Sequence, residues 1–522
     1  MRASRCARRP GRLSVMSSPD RFKPYMPDVQ AVVRLEEALP PEHPIHVFVD
    51  LVQGVDLGHF AIPPGPKGEK PYHPHALFGI LAWGYLHGVR SARKLARLAR
   101  QEATFVYLAG GGRPNYRTLA RFRRENAAAF TAVFQETVIL ALRLGLARLG
   151  HVALDGTKLK ANTSKHKAMS YGRMRQREAQ LKEEIARLVA QAEAQDATED
   201  QEYGVDSDGY SVADELARRE ARLAKIQAAR EHLEAEQRAE QGLPEDAAPE
   251  IADKEQRSFA DTDARIMPMK RGAYDYAYNA QAAVDAEHGV IVAATLTNVA
   301  PDMGHLPDLV AEVRALRDVA GLAPAHPTTV STDAGYFSGE NADEDRDGLD
   351  LLIAAGRDDP AAATTQATVY SVDRFGYDPA RDVWVCPADK LLHLAPPTGQ
   401  RGRPSINQYH AAAVDCADCP LRAACLKPAE DHRLLQAKDR RSTGAMRFKL
   451  RQPDARRRYA RRKTIVEPVF GQIKEARGFS TLSLRGLARA AGEYLLACLA
   501  HNLGKLLRVC PLPSATPAPA AA

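Results

Sequence analysis

Apolar residues recur along this chain with two different periods. From about Tyr25 to Leu149 the spacing is helical, punctuated by Gly and Pro in IPPGPKGEKPYHP and LAGGGRPNY. After the first break, HALFGILAWGYLHG is apolar on almost every side and predicts a buried helix; SARKLARLARQ then sets Leu95 and Leu98 beside a basic face. After the second, YRTLARFRREN predicts another short basic helix. Such a set of short helices, one of them strongly basic, fits a helix-turn-helix DNA reader or any small helical bundle.

At HVALDGTKLKAN the period shortens to that of a strand that ends at Asp155. YDYAYNAQAAVDAEHGVIVAATLTN reads as a hairpin turning at DAEHG, HLPDLVAEVRALRDV as an amphipathic helix, TTVSTDAGY as a strand ending at Asp333, and GLDLLIAAGRD as a further short strand. Strands interleaved with helices predict an α/β core over residues 150–508, preceded by a helical domain over 25–149. A chain of 522 residues has room for both.

Two insertions are expected in that core. Residues 163–255 carry Leu181, Ile185 and Leu188, then Leu216, Leu223, Ile226 and Leu233, in roughly heptad steps, which predicts a helical hairpin. The acidic linker between them contains DSDG, too short of ligands for a calcium loop. Residues 361–444 form the second insertion and hold a cysteine cluster. The basic stretch 1–24 and the low-complexity 509–522 read as disordered tails.

Charge changes this picture through its distribution. The formal net charge is only +7, but Arg90 to Arg124 holds ten basic residues against Glu102, and Arg451 to Lys463 holds seven against Asp454. Segregated clusters of this kind suit phosphate backbones, a solvated charged face being the plainer alternative. No apolar run is long enough to cross a membrane. Seven irregularly spaced cysteines argue against a secreted disulfide framework and for a reducing cytoplasm. Four of them, Cys386, Cys416, Cys419 and Cys425, lie within forty residues and include a Cys-x2-Cys pair. Four thiolates would suit one structural Zn2+, the favoured reading; buried or redox-passive free cysteines and an iron–sulfur cluster are the alternatives.

Asp155 and Asp333 share one context, an apolar run followed within two positions by Gly. An acid leaving a strand can meet a hard cation and a phosphate where the backbone turns away. In RRKTIVEPVFGQIKEARGF, read as a helix, Val466, Val469, Phe470 and Ile473 make one apolar stripe, with Glu467 and Lys474 two turns apart at its margin.

HVALDGTKLKAN, VSTDAGYFSGEN and RRKTIVEPVFGQIKEARGF resemble the three catalytic blocks of bacterial insertion-sequence transposases of the DDE type, whose catalytic domain is RNase H-like. YHPHALFGILAWGYLHGVRSARKLARLA and PNYRTLARFRREN resemble the InsH-type N-terminal domain that precedes it, and DTDARIMPM, YNAQAAVD and TLTNVAPDMGHLPDL resemble its central strands. The likeness runs in order from about Phe22 to Leu507. It implies an RNase H-like mixed sheet flanked by helices, with Asp155, Asp333 and Glu467 as the acids holding two Mg2+ or Mn2+ ions. It also implies metal-dependent cleavage and transfer of DNA strands, acting on terminal inverted repeats and target DNA in a homodimer or larger complex.

The family's last block is Tyr, two residues, Arg, three residues, Glu, six residues, Lys. Glu467 and Lys474 match its second half; Lys463 and Ala460 stand at the Arg and Tyr positions, with Arg462 and Tyr459 beside them. DNA contacts are expected from Lys474, Lys463 and Arg462, and from Arg93, Lys94, Arg97, Arg117 and Arg121 on the two basic helices. Two other functions stay open: an inactive or domesticated copy that only binds DNA, and a stand-alone nuclease that cuts without joining.

Overall fold

In the computed structural model the described residues are 38–61, 70–164, 168–202, 212–269, 272–323, 325–355, 370–395, 408–436 and 440–509. The tail 1–24, nearly all of the tail 509–522, the DSDG segment, Cys6 and Cys510 lie outside them.

Six helices come first: α1 (Ile45–Gln53), α2 (Pro74–Leu86), α3 (Ala92–Gln101), α4 (Ala103–Leu108), α5 (Tyr116–Glu125) and α6 (Ala129–Arg143). Pro74 opens α2, where a missing N–H is harmless, and ten of its thirteen residues are buried, as its all-round apolar sequence predicts. The Ser91 side chain caps α3 by accepting from Lys94 N, and Asn115 caps α5 by accepting from Thr118 N. A Cβ at Gly84 would lie 2.4 Å from Leu95 Cδ2 and 2.8 Å from the Val89 carbonyl oxygen, so only glycine lets α3 lie this close to α2.

The main sheet is built from β1 (His151–Lys160), β4 (Arg265–Pro268), β5 (Tyr274–Asp285), β6 (Ile291–Thr297), β7 (Thr328–Thr332) and β8 (Leu349–Ile353). Between β1 and β4 come β2 (Ala168–Ser170), the long helices α7 (Tyr171–Glu202) and α8 (Val212–Glu240), and β3 (Gln256–Ser258). The order across the main sheet is β4-β5-β1-β7-β8, with β6 also paired to β5. It is mixed: β5 runs antiparallel to β1 and β6, while β1, β7 and β8 are parallel. The β5–β6 hairpin and the strands β7 and β8 fall where the apolar runs predict them. The two long helices pack side by side around Met174, Leu181, Ile226 and Ala229, and β2 pairs with β3 at their base.

After β6 come α9 (Leu306–Val319), which packs on that strand, and, following β7, α10 (Gly339–Asp343). A second sheet of five antiparallel strands follows β8: β9 (Gly376–Asp378), β10 (Val383–Val385), β11 (Leu391–Leu394), β12 (Gln408–Ala411) and β13 (Leu434–Gln436). The short helices α11 (Ala413–Ala417) and α12 (Arg422–Cys425) lie between its last two strands. Its own core gathers Phe375, Tyr377, Trp384, Leu392, Tyr409 and Leu435.

The chain returns through α13 (Arg441–Arg451), α14 (Pro453–Ala460) and α15 (Arg462–Gly471) to α16 (Leu487–Leu506). One apolar core runs without a break from the N-terminal helices through the main sheet to α16, which packs on α2, α6 and β6. The N-terminal helices are therefore seated on the sheet through α16.

Two imidazoles in this core set a pH response. His151 is buried with Nε2 2.8 Å from Ser331 Oγ, and burial, then Arg461 and Arg458, push it down to about 4; His501 is buried against the Gly289 carbonyl and is pushed down, chiefly by burial, to about 3. Both rings stay neutral in the folded chain and gain a proton only on unfolding once the pH drops below their ordinary 6.5. Their contribution is therefore complete above that pH and declines toward the folded values. At pH 5 each ring should have withdrawn about 2 kcal/mol of stability. Urea midpoints at pH 7.5 and pH 5 check this; equal midpoints would contradict it.

Candidate active site

The register of two neighbouring strands brings the first two candidate acids together. β1 and β7 run parallel with Ala153 opposite Ser331, and two residues further along each strand stand Asp155 and Asp333. A step of two keeps a side chain on the same face, so both carboxylates leave the sheet on one side. Pairing between the two strands stops at Ala153, and Asp333 accepts at 2.9 Å from Gly335 N in the turn that ends β7. The sequence placed Asp155 at a strand end; instead β1 continues to Lys160, held by β5 on its other side. What ends beside Asp155 is β7, at Thr332.

Asp155 Oδ1 accepts at 2.9 Å from Gly156 N, and Oδ2 accepts at 3.1 Å from Arg462 Nη1. Burial pushes the Asp155 carboxyl above its ordinary range, Arg462 draws it back, and Asp333 pushes it up again.

A third acid, which the sequence reading did not single out, joins them. Asp302 Oδ1 accepts from Lys158 Nζ at 3.1 Å, Asn279 Nδ2 at 2.7 Å and Gln281 Nε2 at 2.8 Å. A Cβ at Gly156 would sit 2.8 Å from Asp302 Oδ1; one at Gly335 would sit 3.0 Å from Asp333 Oδ1 and 3.4 Å from Asp302 Oδ2. The two glycines thus leave the room that the acids share. Below them is the buried phenol of Tyr336, which donates to Gln281 Oε1; burial, then Asp302, Asp155 and Asp333, keep it protonated far above its ordinary range.

The third expected acid is differently placed. Glu467 is exposed on α15, which packs on β1 and β5, and among the described residues it has no ion pair or hydrogen bond. At 100° per residue it lies about 140° around the helix from Arg462. Arg462 is 7 % exposed and belongs to the buried stripe with Val466, Val469 and Ile473. Tyr459, one turn earlier, is bonded to Arg462, and its phenol is raised first by burial, with Asp333 and Asp155 adding to it. The residues beside the family's Arg and Tyr positions are thus the inward pair. Lys463 faces solvent.

Lys474 lies in a π-turn, Gln472–Ala476, that interrupts the two-turn spacing from Glu467; its Nζ donates to Thr157 Oγ1 at 2.8 Å and to the Lys158 carbonyl at 3.1 Å. Lys474 therefore grips the outer length of β1. Of the basic cluster at the N-terminal helices, Arg93, Lys94 and Arg97 on α3 and Arg117 and Arg121 on α5 are exposed. Arg93 and Arg117 lie over the Tyr116 ring, at 5.1 and 5.9 Å, and Arg121 bonds Glu125 at 3.0 Å. Two of the cluster face inward: Arg90 donates to the Thr481 and Gly478 carbonyls, and Arg123 is buried.

The cysteines Cys386, Cys416, Cys419 and Cys425 are free thiols that line one cavity beside β10 and β11. His410 and His432 face each other at 3.0 Å and are not among its lining residues. Among the described residues, no three His, Cys, Asp or Glu side chains form a group that could hold a metal ion as they stand. Nor is any described helix long and apolar enough to cross a membrane.

Comparison with known families matches two segments of the chain. Residues 33–125 match a transposase domain family, DUF772, and residues 385–507 match the family described as Transposase DDE domain. These matches indicate a transposase function. With the mixed sheet between them, they support an insertion-sequence transposase of the DDE type. The second segment includes Glu467 and the cysteine cluster; neither reaches Asp155 or Asp333. No curated protein and no solved structure matches the chain.

Proposed function

We propose that this chain is an RNase H-like DDE transposase that binds the terminal inverted repeats of an insertion sequence and cuts and joins DNA strands with the help of two divalent cations. The observation that carries this reading is the juxtaposition of Asp155 and Asp333 on one face where β1 and β7 part. The sheet order β4-β5-β1-β7-β8, with an antiparallel β5–β6 hairpin and three parallel strands, supports the RNase H-like part.

The donor set suits Mg2+ or Mn2+. Mg2+ takes one or two carboxylates and keeps several waters, so an open pair of acids serves it better than a closed cage. Asp155 and Asp333 would hold the ions, with the unpaired carboxylate of Glu467 as the third acid. When bound, such ions lower the pKa of water or of a 3′-hydroxyl and stabilise the leaving oxygen of an in-line displacement.

The chain's own groups do the rest. Arg462 fixes the rotamer of Asp155 and supplies a cation beside the reacting phosphate. Lys463 and the exposed arginines that precede it, Arg456 and Arg457 on α14 and Arg461 between the helices, meet the backbone, while Lys474 steadies β1. Arg93, Lys94, Arg97, Arg117 and Arg121 receive the repeats, and the joining of two ends implies a dimer or larger complex.

Asp302 adds a charge to this site without being one of the three acids. Asp302→Asn is expected to raise the Mg2+ concentration for half-maximal cleavage by about tenfold, the equivalent of ~1.4 kcal/mol. The rate at saturating Mg2+ should change much less. A variant with an unaltered Mg2+ profile would remove Asp302 from the account.

The reading is tested with labelled DNA ends carrying the inverted repeats that flank the gene, Mg2+ and a target plasmid. Cleavage followed by joining to the plasmid is expected, and neither without Mg2+. Cleavage without joining would make the chain a nuclease; binding without cleavage would make it a DNA-binding protein only.

A further inference from the structure

Among the described residues, the core of the five-stranded module gathers seven buried residues, and Cys386, Cys416 and Cys425 pack against it. A module this small rarely holds its fold on apolar burial alone and usually carries a staple. With Cys419, these cysteines line a cavity of ≈ 20 Å³. About 10–15 Å³ on the same measure holds one water, so there is room for a single ion.

The local backbone is arranged for a thiolate. In the turn CPADK, Cys386 Sγ accepts from both Ala388 N and Lys390 N at 3.3 Å, while Cys386 N donates to the Lys390 carbonyl at 2.9 Å. Two backbone N–H groups aimed at one sulfur are the donors that orient a metal-bound cysteine. Cys416, Cys419 and Cys425 complete the lining of the cavity, with Arg422 and Arg433 beside them.

We propose that Cys386, Cys416, Cys419 and Cys425 bind one structural Zn2+ through four thiolates, and that this ion braces the helix α13 on which the catalytic helix is mounted. The four thiols line the cavity but do not, as they stand, form a group that could hold an ion; each has one side-chain torsion with which to turn in. Zn2+ needs soft ligands and four of them, and leaves no open position for chemistry.

The brace follows from how α13 is seated. A Cβ at Gly444 would lie 2.6 Å from the Trp384 ring, and one at Gly376 would lie 3.1 Å from Phe448 Cα, so α13 lies directly on β9 and β10. On its other side Lys449 Nζ donates to Asp345 at 2.7 Å and pairs with Asp350 at 2.6 Å in β8. In α14, Arg458 pairs with the same Asp350, and α15 begins two residues after α14 ends. Loosening the module would free this chain of contacts at its root.

The inference does not depend on DNA chemistry, because zinc can be counted on a chain that neither binds nor cuts DNA. Elemental analysis of the full chain, purified without added metal, should give one zinc per molecule. Cys416→Ser should lose most of it. Cys419→His, which keeps a ligand, should retain zinc and guards against a variant that merely misfolds. Cobalt in place of zinc should show the intense visible absorption of a tetrahedral thiolate site. After chelation, hydrogen exchange over residues 441–460 should rise at least tenfold. A zinc-free chain with all four thiols reactive, or one holding iron and sulfide, would overturn the metal assignment, and unchanged exchange over 441–460 would overturn the brace.

Discussion

Asp155→Asn should lower metal-dependent strand cleavage on the order of 10³-fold, the scale of losing a preorganised group at a developing charge. The substitution keeps the size of the side chain and removes the charge that would face the cation. It also leaves Arg462, 7 % exposed, beside a neutral amide. Uncompensated charge in so closed a setting costs about 1–3 kcal/mol, so melting should fall by a few degrees while the fold persists. Single-turnover cleavage and a melting curve on the same sample separate the two effects. Activity within tenfold of the parent would remove Asp155 from the site.

The largest effect on stability is expected at Glu493. Its side chain is completely buried on α16 and takes hydrogen bonds from Tyr85 OH at 3.0 Å and from Ser483 N and Leu484 N at 2.8 Å, with Arg123 Nη1 3.8 Å away. Arg123 in turn donates to Tyr85 OH and to the Arg90 carbonyl. This one carboxylate therefore joins three N-terminal segments to the loop before α16. Glu493→Ala leaves the guanidinium and two backbone N–H groups buried without it, at a cost of about 3–5 kcal/mol. Denaturant unfolding should show that loss, with the N-terminal helices exchanging first; a loss below about 1 kcal/mol would mean that the network is replaceable.

Much of the scaffold was legible because it rests on local periodicity. The β5–β6 hairpin, β7, β8 and α9 all lie where alternating or helical apolar spacing puts them. Asp155 and Asp333 stood out as acids after apolar runs, and register then joined them. Asp302 was harder, because NVAPDMGH carries no such run. Its partners left a signal: Asn279 and Gln281 sit at alternate positions inside the buried run YAYNAQAAV, and polar groups there need an acceptor.

Arg462 was also within reach. It falls four, seven and eleven residues before Val466, Val469 and Ile473, so the phase of the buried stripe points it inward and Lys463 outward. By contrast, the π-turn at Gln472–Ala476 has no pattern in the sequence, and a straight helix wrongly gives Glu467 and Lys474 one shared face. Nor could charge density distinguish the buried Arg123 from its exposed neighbour Arg124, since both sit in one arginine run and only long-range packing separates them.

The proposed function requires a cation between Asp155 and Asp333, and metal-directed backbone cleavage tests for one there most directly. Fe2+ with ascorbate, substituted for Mg2+, makes hydroxyl radicals at the bound metal that cut the nearest backbone. Cuts are predicted in β1 around Asp155 and just after β7 around Asp333, suppressed by excess Mg2+ and absent from Asp155→Asn. Cuts confined to the cysteine module, or cuts at these strands that neither Mg2+ nor the substitution alters, would contradict the site.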